Sequence, residues 1–177
     1  MNIALILHDN TMTSKNALNR PLHADKNDAD LYLLKTIAFT HKKTPIKELN
    51  RFFLHEENRR ERLEYLKFSC DIDEIFYVAT CNRIEFFFTT HHVLDTNFLR
   101  KFYRHFRTDW NTEEVDFALK YGEIYEGEDA LRHIYRVASS LDSMVIGERE
   151  IITQVRKSYD TCKDEGLTGD MLRLVVK

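Results

Sequence analysis

The sequence predicts an α+β fold, in which an antiparallel sheet carries helices on one face and a C-terminal helical segment follows. Runs rich in aromatic and β-branched residues, typical of strands, occupy residues 34–40, 75–78 and 84–88. Segments with the spacing of amphipathic helices lie between the first two runs and after the third, and a short polar turn separates the second run from the third. Beyond residue 125 the helical spacing continues alone, so we expect the sheet to end there.

The composition limits the class of protein. Of the 177 residues, 43% are hydrophobic and 31% are charged, which is typical of one globular domain with at most a small annex. The formal charge of −3 means that contact with nucleic acid requires a local patch or a partner domain. Three widely spaced cysteines match neither a zinc site nor a disulfide framework. Without signal-peptide features or an apolar stretch near the roughly 20 residues of a membrane span, we expect a cytoplasmic protein.

Residues 1–30 are predicted to form an extension that is mobile or loosely docked, because most of this segment is polar and has neither a strand nor a helix period. The strand at 34–40 is followed by Thr44 and Pro45, which predict a helix capped by Thr44 with Pro45 in its first position. Three apolar side chains are expected on the buried face of this helix: Ile46, Leu49 and Phe53.

Further elements complete the predicted domain. A second helix after residue 55 has a mixed-charge solvent face, and the aromatic residue at every fourth position over 98–106 predicts a helix whose aromatic stripe belongs to the core. Residues 119–125 suggest a short strand interrupted by a glycine. The order of strand, helices, strand, strand, helix and strand is the split βαβ, or ferredoxin-like, arrangement.

The C-terminal part is predicted to be helical. Two apolar stripes with helical spacing lie at 130–141 and 151–162, and Gly166 is a stop signal for the second helix. The link at 141–150 has no helical rhythm, which leaves either a tight crossing or a binding loop.

Cys81 lies in the polar interruption between the second and third predicted strands. A side chain at a strand end reaches solvent from a rigid backbone, which suits a nucleophile. A single cysteine near apolar residues is, however, more often a buried filler. Thr80, Asn82 and Arg83 place polar groups around the thiol, and Arg83 favours its thiolate form. From the residues alone, both interpretations stay open.

His133 lies at the edge of the apolar stripe of the first C-terminal helix. A lone histidine in that position is usually a half-buried packing residue, because the neutral ring tolerates partial burial. The alternative is a proton donor aimed at the sheet, since an ordinary imidazole titrates near neutral pH.

Three segments resemble signatures of one enzyme family. Residues 79–85, Ala-Thr-Cys-Asn-Arg-Ile-Glu, resemble the nucleophile motif of glutamyl-tRNA reductases. Residues 136–155 resemble the second signature of that family, and residues 41–45 are similar to its first strand-to-helix junction. Three signatures in the right order make a chance similarity improbable.

The resemblance implies an NADPH-dependent oxidoreductase that catalyses the first committed step of tetrapyrrole, or porphyrin, biosynthesis. The Cys81 thiolate would attack the ester that joins glutamate to its tRNA. Hydride from NADPH would then reduce the glutamyl thioester to glutamate-1-semialdehyde. Covalent catalysis of this kind divides one difficult step into two easier ones.

By the same resemblance, Cys81 and His133 are the catalytic residues. Arg83 would bind a substrate carboxylate through its planar guanidinium, and Glu148 would bind the substrate α-ammonium. The other implied substrate-binding positions are Thr80, Asn82, Ser143, Arg149, Glu150 and Gln154. At Arg149 and Glu150 the chain departs from the family, which usually has Pro and Gln there.

None of the five glycines forms the turn that cradles a dinucleotide, so we expect NADPH to be bound by a domain absent from this chain. The expected boundaries are 1–30 for the extension, 31–165 for the catalytic domain that binds glutamyl-tRNA, and 166–177 for the start of a connection to the NADPH-binding domain. Alone, the fragment would carry out acyl transfer or ester hydrolysis. The resemblance also implies a homodimeric full-length enzyme and glutamate-1-semialdehyde aminomutase as a downstream partner.

Two interpretations from other classes stay open. A non-catalytic, ferredoxin-like RNA-binding module fits the strand order and the aromatic strands, but not the acidic balance or the lack of an aromatic RNA-binding signature. A purely structural interaction domain predicts neither a reactive thiol nor affinity for RNA.

Overall fold

A computed structural model describes residues 30–139 and 150–177. Within these ranges there are four strands, β1 (Leu34–Thr40), β2 (Glu74–Ala79), β3 (Arg83–Thr89) and β4 (Glu123–Glu126). The helices of the same ranges are α1 (Ile46–Leu49), α2 (Glu56–Cys70), α3 (Thr96–Phe106), α4 (Thr112–Tyr121), α5 (Glu128–Ala138), α6 (Glu150–Asp164) and α7 (Asp170–Val176). The strands form one antiparallel sheet in the order β2-β3-β1-β4, which confirms the predicted mixture of helices with an antiparallel sheet.

Both faces of the sheet are covered, because every residue of β1 and β3 is buried. Side chains alternate between the faces of a strand. On one face, Phe86 packs edge-on against Phe102 and Phe106 of α3. On the other face, Phe76 packs edge-on against Tyr159 of α6. The prediction of helices on one face therefore describes only half of the arrangement, since the C-terminal helices cover the second face.

The junction after β1 differs from the prediction. Helix α1 begins at Ile46, one residue later than expected, and Thr44 does not cap it, because Thr44 Oγ1 is buried without a hydrogen-bond partner. The side chains of Ile46 and Phe53 are 56% and 40% exposed. Leu49 is buried as predicted, and Phe52 takes the place expected for Phe53, since α1 is a single turn that tightens into a 3₁₀ turn and redirects the side chains that follow.

The segment predicted as a strand at 119–125 divides at Gly122. Its first part belongs to α4, which begins with a capping box between Asn111 and Glu114, and only its last residues enter β4. A Cβ at position 122 would lie 2.7 Å from Tyr103 Oη, so the close approach of the helix end to α3 requires glycine. The asparagine followed three residues later by glutamate is the sequence signal that identifies the start of α4.

The predicted apolar stripes of α5 and α6 are buried where the structure describes them. The stripe of α6 consists of Ile151, Val155, Tyr159 and Cys162. Gly166 follows the helix in the left-handed region with a φ of 75°, as its stop signal predicts. The end of the α5 stripe and the link at 141–149 lie outside the described residues, as does the extension 1–29.

Helix α7 packs its Leu172 and Val175 into the core. The Glu74 carboxylate of β2 accepts hydrogen bonds from the backbone amides of Gly169, Met171 and Leu172 at 2.9, 3.1 and 2.9 Å. These amides begin the helix and have no partner within it, so Glu74 ties α7 to the sheet. No helix in the described ranges combines the length and apolar character that a membrane span requires.

Candidate active site

Cys81 is exposed in the turn between β2 and β3. The turn is held by its own backbone, since the Thr80 amide donates to the Arg83 carbonyl at 2.9 Å. Thr80 Oγ1 also donates to Asn82 Oδ1 at 3.0 Å. The His41 amide, just after β1, donates to the Asn82 carbonyl at 2.9 Å. The polar neighbours identified in the sequence therefore shape a rigid turn that presents the thiol to solvent.

Exposure separates Cys81 from the other two cysteines of the chain. Cys70 and Cys162 are buried, and burial raises the pKa of each thiol to about 11. A buried thiol of that kind is protonated at neutral pH and does not act as a nucleophile. The interpretation of Cys81 as a buried filler is wrong, because its side chain is exposed.

A chain of three buried polar side chains lies next to this turn. Arg83, Glu85 and His133 have exposed fractions of 2%, 0% and 6%. Arg83 Nη1 donates to Glu85 Oε1 at 2.9 Å, and His133 Nε2 lies 2.8 Å from Glu85 Oε2. Arg83 and Glu85 are two residues apart on β3 and so share a face, which α5 covers with His133.

Glu85 is a site residue that the sequence analysis did not assign. The signal was present, because Glu85 is a charged residue within a strand whose other interior positions are apolar or aromatic. Burial of a carboxylate is costly unless it is paired and hydrogen-bonded. A charge in the middle of such a run therefore predicts a partner on another element.

Tyr125 and Glu123 of β4 extend the cluster. The Tyr125 ring stacks on the His133 ring, with 4.2 Å between centroids and 14° between planes. Tyr125 Oη donates to Glu123 Oε1 at 3.4 Å, and Thr40 Oγ1 donates to Glu123 Oε2 at 2.7 Å. These contacts set the plane of the imidazole.

The cluster forms the wall of a cavity of about 560 Å³. Arg83 and His133 line it together with Tyr125, and three cations from the turn after β1 and from α5 add positive charge: Lys42, Arg132 and Arg136. Acidic groups also reach the wall, at Glu123 and Asp129. Two lining residues flank His41, whose amide is bonded to the turn of Cys81, and Arg83 follows that turn directly. Thr80, Cys81 and Asn82 are not themselves among the residues that line the cavity.

The remaining predicted site residues are not all brought to this cavity. Gln154 is exposed on α6 and lines a second cavity of about 290 Å³, together with Tyr77 and Ala79. Ala79 directly precedes Thr80, so this second cavity reaches the end of β2 next to the turn. The positions Ser143, Glu148 and Arg149 and the side chain of Glu150 lie outside the described residues.

Comparison with known proteins adds an independent observation. Residues 37–177 match the sequence model of a family described as the glutamyl-tRNAGlu reductase N-terminal domain. The glutamyl-tRNA reductase of Streptococcus sanguinis is 31% identical over 142 residues, which cover 80% of this chain and 33% of that protein. The glutamyl-tRNA reductase of Archaeoglobus fulgidus is 32% identical over 139 residues, which cover 78% of this chain and 28% of that protein.

Among solved structures, the glutamyl-tRNA reductase from Methanopyrus kandleri is similar to this chain, with a TM-score of 0.61 and 26% sequence identity. The similarity covers 82% of this chain and 32% of that structure. The chain spans about a third of the length of the curated relatives that it matches.

Proposed function

Because the chain belongs to the family of glutamyl-tRNA reductase N-terminal domains, we propose that it forms the site at which a cysteine takes the glutamyl group from glutamyl-tRNA. The observation that carries the proposal is the exposed Cys81, held in a turn that leads directly into Arg83, which lines a cavity together with His133. An exposed thiol is accessible to an ester carbonyl, which suits nucleophilic attack. A non-catalytic RNA-binding module is not favoured, since the matching family is a domain of an enzyme.

In the proposed reaction, Cys81 Sγ bonds to the carbonyl carbon of the glutamyl ester while the bond from that carbon to the ribose oxygen breaks. The electron pair of the broken bond stays with the ribose oxygen, which takes up a proton. We assign the transfer of this proton to His133, which takes it from the Cys81 thiol as the thiolate forms and passes it on to the ribose oxygen. The products are a glutamyl thioester on Cys81 and a tRNA with a free terminal hydroxyl.

Arg83 is the proposed partner of the glutamyl side-chain carboxylate. A guanidinium has five N–H donors in a fixed plane, so the contact of Nη1 with Glu85 is compatible with a second carboxylate. The positive side chains of Lys42, Arg132 and Arg136 on the cavity wall suit an acidic substrate that is attached to a nucleic acid.

Reduction of the thioester to glutamate-1-semialdehyde requires a hydride, which NADPH supplies in the proposed full reaction. The described residues do not fit a dinucleotide, because their glycines lie at 122 and 127, at the two ends of β4, and at 166 and 169, between α6 and α7, and none follows a parallel strand. A dinucleotide site needs a glycine-rich turn between a parallel strand and a helix. The proposal therefore assigns acyl transfer and slow thioester hydrolysis to this chain. The boundary at residue 166, the homodimer and the aminomutase partner stay predictions.

Mass spectrometry tests the acyl transfer directly. We expect the chain, incubated with glutamyl-tRNA, to gain the mass of one glutamyl group, and a digest to place that mass on Cys81. The peptides with Cys70 and Cys162 serve as internal controls and should stay unmodified, because both thiols are buried. The absence of an adduct on folded protein, together with undiminished ester cleavage by Cys81→Ser, would falsify the assignment.

A further inference from the structure

The carboxylate of Glu85 joins two groups of the candidate site. It is fully buried, and each of its oxygens contacts a different partner, Arg83 Nη1 at 2.9 Å and His133 Nε2 at 2.8 Å. Arginine is charged at all ordinary pH values, and a buried guanidinium at this distance stabilises the ionised carboxylate. An ionised carboxylate only accepts hydrogen bonds, so His133 Nε2 must carry the proton that it shares with Glu85.

We propose that Glu85 is a positioning residue, which holds His133 with its proton on Nε2 and leaves Nδ1 as the nitrogen that exchanges protons with a bound substrate. The proposal deepens the function proposed above and depends on it for the identity of that substrate. It assigns two roles to one carboxylate, because Glu85 also holds the guanidinium of Arg83.

The surroundings of the ring support a fixed orientation. Tyr125 stacks on one side of the His133 ring, and the Phe87 ring lies 6.3 Å away at an angle of 32°. These contacts fix the plane of the imidazole but not which of its edges points toward Glu85. The hydrogen bond to Glu85 makes that choice. A half-turn of the ring about its Cβ–Cγ bond would keep the plane but would put the carbon Cε1 in the position of Nε2, where it could not bond to Glu85.

The competing explanation is that Glu85 only neutralises the buried charge of Arg83. In that case the tautomer of His133 would not depend on the charge of residue 85. The two explanations differ in a property of the free protein, so they can be separated without substrate.

The tautomer is read from the ¹⁵N chemical shifts of the two imidazole nitrogens, which differ strongly between protonated and unprotonated nitrogen. At about pH 8.5, where an ordinary imidazole is neutral, we expect the His133 signal of the wild-type chain to show the proton on Nε2. The signal is assigned by its loss in His133→Asn. A wild-type signal with the proton on Nδ1 overturns the proposal, even if no Glu85 variant folds.

Glu85→Gln then tests the dependence on charge. A neutral amide cannot accept from both Arg83 and His133 through two oxygens, so we expect the Nε2–H population to fall. Glu126→Gln is the matched control, because Glu126 pairs with the buried Lys35 in the same sheet but has no hydrogen bond to His133. An unchanged His133 tautomer in folded Glu85→Gln rules out the positioning role.

Activity gives the last measurement. We expect Glu85→Gln to form the glutamyl adduct on Cys81 roughly 100-fold more slowly or worse, because proton transfer from a misplaced group is lost. The same rate in Glu85→Gln and wild type contradicts the proposal. A wild type that forms no adduct but shows the Nε2–H tautomer would instead refute the proposed function and leave the placement of His133 intact.

Discussion

At the level of single residues, the chemistry of this protein depends on which polar groups are buried and which reach solvent. Cys81 is exposed, whereas Cys70 and Cys162 have pKa values raised to about 11 by burial. Arg83 is the reverse case, because this charged residue next to the turn is 2% exposed and already paired with Glu85. Its buried pairing gives the guanidinium a fixed position, which a surface arginine would lack.

Alkylation should distinguish the three thiols. Below about pH 10, the buried thiols of Cys70 and Cys162 stay protonated, since a raised pKa keeps the neutral form stable to higher pH. We therefore expect iodoacetamide to label the native chain at pH 8 on Cys81 and to label all three cysteines after unfolding in guanidinium. Rapid native labelling of Cys70 or Cys162, measured by peptide mapping, would contradict the burial of these two thiols.

Replacement of Arg83 by lysine tests the planar guanidinium. Lysine keeps the positive charge beside Glu85, but its ammonium group lacks the planar set of N–H donors that binds a carboxylate with two hydrogen bonds. We therefore expect glutamyl transfer to be slower by at least roughly tenfold, while most of the stability is kept. Arg100→Lys is the control, because Arg100 pairs with Asp116 on the surface at 2.8 Å. Equal transfer rates in the two variants, measured by tRNA release, would exclude a role for the planar guanidinium of Arg83.

At the level of secondary structure, the site is built where elements from distant parts of the chain meet. β3 supplies Arg83 and Glu85, β4 supplies Tyr125, and α5 supplies His133. The helices of the C-terminal part cover this face of the sheet and remove the site residues from water. The side chains of Arg83, Glu85 and His133 therefore stay buried only while these helices are packed on the sheet.

The attachment of α7 can be tested at Glu74. Glu74→Ala removes the acceptor of three backbone amides, so we expect a loss of about 1–3 kcal/mol in the free energy of unfolding. Glu64→Ala is the control, because Glu64 forms an exposed pair with Arg60 within α2 and should cost less than about 0.5 kcal/mol. Equal losses in urea titrations of the two variants would show that Glu74 does not hold the helix.

For the whole molecule, one sheet separates two aromatic layers. Phe86 and the α3 side chains form one layer, while Phe76 contacts Phe87 and Tyr159 in the other. Because β2 and β3 contribute side chains to both layers, we expect the layers to unfold together as one cooperative unit.

Phe76→Ala tests this coupling. We expect the free energy of unfolding to fall by about 3–5 kcal/mol, because the substitution leaves a cavity in the layer covered by α6. Trp110, the single tryptophan, reports on the opposite layer through its contacts with Phe52 and Phe106. Its fluorescence and the far-ultraviolet circular dichroism should shift to the same lower urea midpoint. Separate midpoints would mean that the two layers unfold independently.

Local patterns were sufficient to predict much of this protein. The bounds of β1, the buried stripe of α6, the turn that carries Cys81 and the family resemblance all follow from neighbouring residues and their spacing. These features are recoverable because periodic burial and turn chemistry are recorded within a few consecutive positions. The short α1 was less predictable, since a single turn contains too few residues to define a face.

Only the tertiary structure decided how the site is completed. Glu85 and His133 are 48 positions apart in the chain, and nothing in the local pattern of either residue names the other. The same holds for the cover of the second face and for the stacking of Tyr125 on the imidazole. A buried charge requires a partner, but which side chain becomes that partner depends on how the helices pack across the sheet.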